Sequence, residues 1–172
     1  MIRTGIGFDI HRFKKGRRLV LGGVDIPHQA GLDGHSDADV LCHAVMDALL
    51  GAVADADIGR HFPNTDAWWK GACSLDLLKI VAGRLAARGA RIVNVDSTVL
   101  AEAPKLAPHV GAMRARMAKA MGIAADCVSV KATTLEKLGA LGRGEGMAVM
   151  AVATVDARKR KPGRRSGKGV RR

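Results

Sequence analysis

Between Ile2 and Phe13 apolar side chains recur at alternate positions. Ile6, Phe8 and Ile10 share one face of a predicted strand, and Gly7, Asp9 and His11 share the other. A basic turn, Lys14 to Arg18, leads into the short apolar piece Leu19-Val20-Leu21 and a glycine-rich loop from Gly22 to Gly34. Ser36 then has the character of a helix N-cap, with Asp39 three residues on as a variant of the capping box. The helix, carrying Val40, Ala44, Met46, Ala48 and Leu49, is expected to run to about Ala54. Gly59 to Gly71, around Pro63-Asn64-Thr65-Asp66, reads as a loop. Leu75, Leu78, Ala82 and Leu85 predict a second helix over 75–87, closed by Gly89.

Alternation returns from Ile92 to Leu100, with Val93, Val95 and Val99 opposite Asn94, Asp96 and Thr98. Pro104 sits near the start of a third predicted helix whose stripe is Leu106, Val110, Met113, Met117 and Met121. Cys127 to Thr133 reads as a strand. Met147 to Val155 is apolar on both faces, the pattern of a strand covered on both sides, and a second subunit is one way to cover it. Helices interleaved with strands, and a last strand close behind its predecessor, predict an α+β fold on a mixed sheet.

A length of 172 residues fits one domain, and 48% apolar content is enough for a core. No apolar run approaches a membrane span, and Met1-Ile2-Arg3-Thr4-Gly5 lacks the pattern of a secretion signal, so the expected compartment is the cytoplasm. Cys42, Cys73 and Cys127 are odd in number and form no CxxC pair, which argues against a disulfide framework. The net charge of +12 changes the picture only once it is divided. Residues 158–172 hold nine Lys or Arg and no acid, which leaves 19 basic against 16 acidic residues, or +3, for residues 1–157. The expected organisation is therefore a domain over 1–157 and a basic, solvated tail over 158–172. Such a tail touches nucleic acid nonspecifically, if at all. Five aromatics without a tyrosine make a poor stacking platform for single strands.

Asp9 and His11, two apart on a strand, project from one face, and His43 lies on the helix after the glycine-rich loop. Three such N/O donors with a vacant fourth position describe a zinc that holds substrate; a plain hydrogen-bonded Asp–His pair is the alternative. Gly34-His35-Ser36-Asp37 is either a phosphate cradle at a helix end or a simple cap. Lys131 to Lys137, with Thr133, Thr134 and Glu136, suits a phosphorylated ligand with a divalent cation. Gly142-Arg143-Gly144-Glu145-Gly146 is either an anion-approach loop or a turn with a local ion pair.

In order along the chain, GFDIHRF (7–13), GHSDADVLCHAVMDALLG (34–51), DIGRHFPNTD (57–66), AEAPKLAPH (101–109), VKATTLEKLG (130–139) and GRGEG (142–146) closely resemble the 2-C-methyl-D-erythritol 2,4-cyclodiphosphate synthases over roughly residues 1–156. That resemblance implies a homotrimer whose sheets face its centre, with helices packed on the outer face and active sites between subunits. It implies one zinc ion per subunit on Asp9, His11 and His43, and a magnesium or manganese ion on Glu136. His35, Ser36, Asp57, Asn64, Lys105 and Arg143 would contact substrate or phosphate. Ala101, Leu106, Ala107, Ala132, Thr133 and Thr134 would surround the cytidine. Arg143 and Glu145 would line a central cavity able to take an isoprenoid diphosphate. No catalytic nucleophile is implied. Two departures from the family pattern stand out: Asn64 replaces the usual Asp, keeping an acceptor but losing its charge, and Ala140-Leu141 replaces a Phe-Thr pair beside Arg143.

Overall fold

The computed structural model describes residues 1–157, so the basic segment 158–172 lies outside the described residues. Strand β1 runs from Ile2 to Lys15, longer than its alternation predicts. The glycine-rich stretch is not one loop. Leu19–Leu21 (β2) and Val24–Ile26 (β3) form a hairpin through Gly22 and Gly23, and Ala30–Leu32 (β4) pairs with the end of β1. Both hairpin glycines take positive φ, which suits a tight two-residue turn and explains why this segment reads as loop from composition. Helix α1 spans Val40–Ala52, and α2 is a single turn, Ile58–His61, inside the segment expected to be loop. Helix α3 (Ser74–Ala87) precedes β5 (Ala90–Leu100), and α4 (Val110–Met121) precedes β6 (Val128–Thr133). A short turn of helix, α5 (Gly139–Gly142), leads into β7 (Gly146–Ala157).

The sheet order is β4-β1-β7-β5-β6, antiparallel except for the parallel β5–β6 pair, so the expected mixed sheet is present. Helix α1 lies across β1 and β7, α3 packs beside it over β5, and α4 covers β6. All three sit on one face. A register shift at Ile92/Asn94 in β5 turns Ile92 and Val95 inward and leaves Val93 only half-buried, against the even alternation expected there.

Helix α1 is nearly all apolar because it is covered all round; Val40 through Met46 are buried without a break. Its seat is unusually close. Gly5 and Gly7 face it, and a Cβ on Gly7 would stand 1.9 Å from the Ala44 carbonyl oxygen. No larger residue fits without lifting the helix.

The cap of α1 also differs from the expected one. Ala38 adopts φ +59°, which breaks any helix starting at Ser36, and the buried Asp39 is the N-cap, accepting from the Cys42 N–H. Its carboxylate also accepts from the Gly22 and Gly23 N–H groups and so ties the hairpin to the helix. The helix stops short of Ala54, where φ is again positive. Pro104 lies upstream of α4 rather than in its first turn; Met113, Met117 and Met121 form the buried stripe as expected.

Strand β7 is covered on one face only by this chain. Met147, Val149, Ala151, Ala153 and Val155 are buried beneath the helices. Met150 (45% exposed) and Val152 (41%) open to solvent beside Phe8 (55%) and Ile6 (66%). Asp96 and Lys131 pair across β5 and β6 on the same open face. No described helix is long and apolar enough to cross a membrane.

Candidate metal centre and its cleft

Strand β1 delivers Asp9 and His11 to the face beneath α1, and the first full turn of α1 delivers His43. The close seating of the helix brings the three together. Asp9 Oδ2 is 3.0 Å from His11 Nε2 and 2.9 Å from His43 Nδ1, and the two ring nitrogens are 3.4 Å apart. A tetrahedral zinc with its usual bond lengths separates its ligand atoms by about 3.3 Å, so the spacing and the N/O donor set fit that ion. His11 is oriented from behind. Its Nδ1 lies 2.5 Å from the Asp33 carbonyl oxygen, which only accepts. In the neutral ring, therefore, Nδ1 carries the proton and Nε2 turns its lone pair to the site.

Burial disfavours the Asp9 charge, but the hydrogen bonds and positive charge of His11 and His43 outweigh it, and the carboxyl is held far below the ordinary carboxylate range. Burial likewise pulls His11 down, and its hydrogen bond and ion pair with Asp9 reverse that and leave it raised. A carboxylate kept ionised among imidazoles is the electrostatic state a divalent cation needs.

The triad lies on the wall of an open cleft of about 810 Å³. His35, Ser36 and Asn64 line it too, with Phe62 and Trp69 supplying apolar surface. Gly34–Ser36, expected at a helix end as a phosphate cradle or a cap, is a loop instead: Asp39 caps α1, and Gly34–Ser36 faces the cleft. Arg17, which the sequence places only in a basic turn, shapes that loop. Its guanidinium donates to the Gly34 carbonyl at 3.0 Å and the Ser36 carbonyl at 2.7 Å.

Asp57 is exposed and caps α2 through the Arg60 N–H at 3.0 Å. Behind it Asp47, another residue the sequence does not single out, accepts the Ile58 N–H at 2.8 Å. Burial and the nearby Asp57 and Asp9 carboxylates raise Asp47 above the ordinary range.

Of the remaining expected site residues, Glu145 lines the same cleft and the others do not. Thr133 ends β6 and Thr134 follows it, Ala101 donates its N–H to the Thr133 carbonyl, and Glu136 accepts from Thr134 Oγ1 at 2.5 Å. Ala107, Ala132 and Lys105 are exposed in that region of the chain, and Leu106 is buried. Glu136 and Lys137 hold positive φ, fixed by Glu102, whose carboxylate accepts the Leu135 and Lys137 N–H groups. Two strands separate β1 from β6, so Ala132 and Thr133 lie on the order of 14 Å from the triad. Arg143 donates to Glu145 at 2.7 Å, which is the local ion pair of the simpler reading.

The YgbB family pattern matches residues 2–156, nearly all of the described chain. The chain belongs to the YgbB family. A relative from Desulfosudis oleivorans, named 2-C-methyl-D-erythritol 2,4-cyclodiphosphate synthase, is 58% identical over 168 residues, covering 98% of this chain and all of its own. One of the same name from Laribacter hongkongensis is 58% identical over 91% of this chain and 97% of its own. Among solved structures, a 2C-methyl-D-erythritol-2,4-cyclodiphosphate synthase in a CDP-bound form superposes with TM-score 0.82 at 35% identity, over 90% of this chain and all of that one. The bifunctional IspDF of Campylobacter jejuni matches with TM-score 0.87 at 43% identity over 90% of this chain, which spans 42% of that longer protein.

Proposed function

We propose that this chain converts 4-diphosphocytidyl-2-C-methyl-D-erythritol 2-phosphate to 2-C-methyl-D-erythritol 2,4-cyclodiphosphate and CMP, a step of non-mevalonate isoprenoid biosynthesis, at a zinc site made by Asp9, His11 and His43. The observation that carries the reading is the convergence of those three donors on the wall of a cleft. Full-length similarity to relatives of that name supports the reaction.

The reaction is a ring closure. An oxygen of the 2-phosphate forms a bond to the β-phosphorus, the bond from that phosphorus to the bridging oxygen breaks, and CMP leaves with the electron pair. The substrate brings its own nucleophile, so the chain needs to orient two anionic groups and offset their repulsion. A bound zinc supplies positive charge to the diphosphate oxygens, and a magnesium or manganese ion at Glu136 would do the same along the phosphate chain. His35 and Ser36 face the cleft, where they can donate to phosphate oxygens, and Asn64 lies on the same wall. Asp57 offers an exposed carboxylate for ribose hydroxyls.

The cytidine group, Ala101, Lys105, Leu106, Ala107, Ala132, Thr133 and Thr134, would come from a neighbouring subunit. A homotrimer built on the open sheet face would bury Ile6, Phe8, Met150 and Val152 and bring that group to the triad of the next chain. Arg143 and Glu145 would then lie toward the central cavity, with an isoprenoid diphosphate as its candidate ligand. The test is CMP release from the authentic substrate by the full chain loaded with zinc and magnesium; a zinc-loaded, folded protein that releases none would overturn the reading.

Arg17→Ala should separate loop order from metal binding. Losing two charged hydrogen bonds, each worth about 1.5–3 kcal/mol, frees Gly34–Ser36. The expected result is a fall in kcat/KM of about tenfold or more with zinc content unchanged, read by steady-state kinetics and metal analysis of one preparation.

A further inference from the structure

His43 has a second ring nitrogen, turned away from Asp9, and neither metal nor substrate accounts for what it meets. Nε2 lies 3.0 Å from Ser74 Oγ and 3.1 Å from Ser36 Oγ. Ser74 opens α3 and is fully buried. Its Oγ is 2.5 Å from Asp37 Oδ1, and its backbone N–H donates to Asp37 Oδ2 at 3.0 Å. We propose that Ser74, anchored by Asp37, is a positioning residue that holds His43 in the tautomer whose Nδ1 lone pair faces Asp9 and His11. The inference rests on the zinc reading above and concerns a side chain that does not itself ligate the ion.

The direction of the relay follows from counting protons. A carboxylate only accepts, and a serine hydroxyl has one proton to give. Ser74 gives that proton to Asp37, so its oxygen offers His43 only lone pairs. Nε2 must then carry the ring proton, and Nδ1 is left bare. The opposite tautomer would set two lone pairs against each other across 3.0 Å and put a proton where the ion belongs. Ser36 cannot enforce this choice. Its oxygen accepts the Ala38 N–H at 3.1 Å, and its own proton remains able to point at Nε2. His11 receives the equivalent service from the Asp33 carbonyl, which no side-chain change removes. For His43 the service depends on one hydroxyl, and that makes it testable.

Zinc affinity of the full-length protein would be measured by competition with a chromophoric chelator, for the natural chain and for Ser74→Ala. Nitrogen NMR of labelled histidine would read the His43 tautomer in the metal-free protein at alkaline pH. The natural chain should show the Nε2–H form. Ser74→Ala should shift His43 toward a mixture and weaken zinc binding about 10- to 100-fold. Unaltered zinc affinity in Ser74→Ala would overturn the inference and leave the zinc reading intact, whereas a natural chain that binds no zinc would overturn that reading itself. Should Ser74→Ala fail to fold, the tautomer of the natural chain decides: an Nδ1–H form there overturns the inference.

Discussion

His43→Ala is expected to leave a folded protein that holds no stoichiometric zinc and turns over about a thousandfold more slowly or worse. The size follows from what is removed. His43 is one of three donors, and alanine leaves Asp9 and His11 as a pair 3.0 Å apart that can close on itself without an ion. On the proposed reading, catalysis consists of placing positive charge where phosphate oxygens crowd, and loss of even one preorganised donor in such sites costs about 100- to 1,000-fold. The fold should survive, because alanine is the best helix former and Ser74 keeps Asp37 as a partner. Metal analysis and the CMP-release assay on one preparation check this. Full activity in a zinc-free, folded variant would remove the metal from the mechanism altogether.

Gly7→Ala is expected to be nearly as damaging by a different route. Its new methyl would stand 1.9 Å from the Ala44 carbonyl oxygen and 2.7 Å from the Ala48 nitrogen, both backbone atoms that no rotamer change can move. Helix α1 must rise by more than an ångström, which loosens contacts along its whole buried length. Overpacking of this kind costs about 1–3 kcal/mol, and a backbone obstacle puts it at the upper end or beyond. The same displacement carries His43 away from Asp9 and His11. Denaturant unfolding should therefore show a lowered midpoint, and the surviving folded fraction should bind zinc more weakly. A variant of natural stability and zinc affinity would mean that the helix is not seated on β1 as described.

The two substitutions divide what is local from what is not. A period of two in β1 is enough to put Gly7, Asp9 and His11 on one face and Ile6, Phe8 and Ile10 on the other, and the structure keeps that division. The stripes of the longer helices were legible in part: Leu78 and Leu85 of α3 and Met113, Met117 and Met121 of α4 are buried as expected, whereas α3 turns Leu77 and Val81 inward and leaves Leu75 and Ala82 half-buried. The reading failed where the backbone leaves regularity. Positive φ at Ala38 and Ala54 cut α1 at both ends, although alanine gives no sign of it. The β2–β3 hairpin was hidden because glycine signals a turn without saying what flanks it.

At the site, the ligand triad could be suspected from residue types and family motifs, whereas its supports could not. Arg17, Asp37, Ser74 and Glu102 act on groups far away in sequence, and no periodicity joins such partners. By itself, then, the amino-acid sequence determined which side chains of β1 share a face and which motifs mark the family, because both are written in short stretches of neighbouring residues. Only the tertiary structure decided that a helix lies directly on two glycines, that three donor atoms consequently meet within a few ångströms, and that the end of β6 stands two strands away from them. Those outcomes depend on the distance between elements, which packing fixes and local pattern does not.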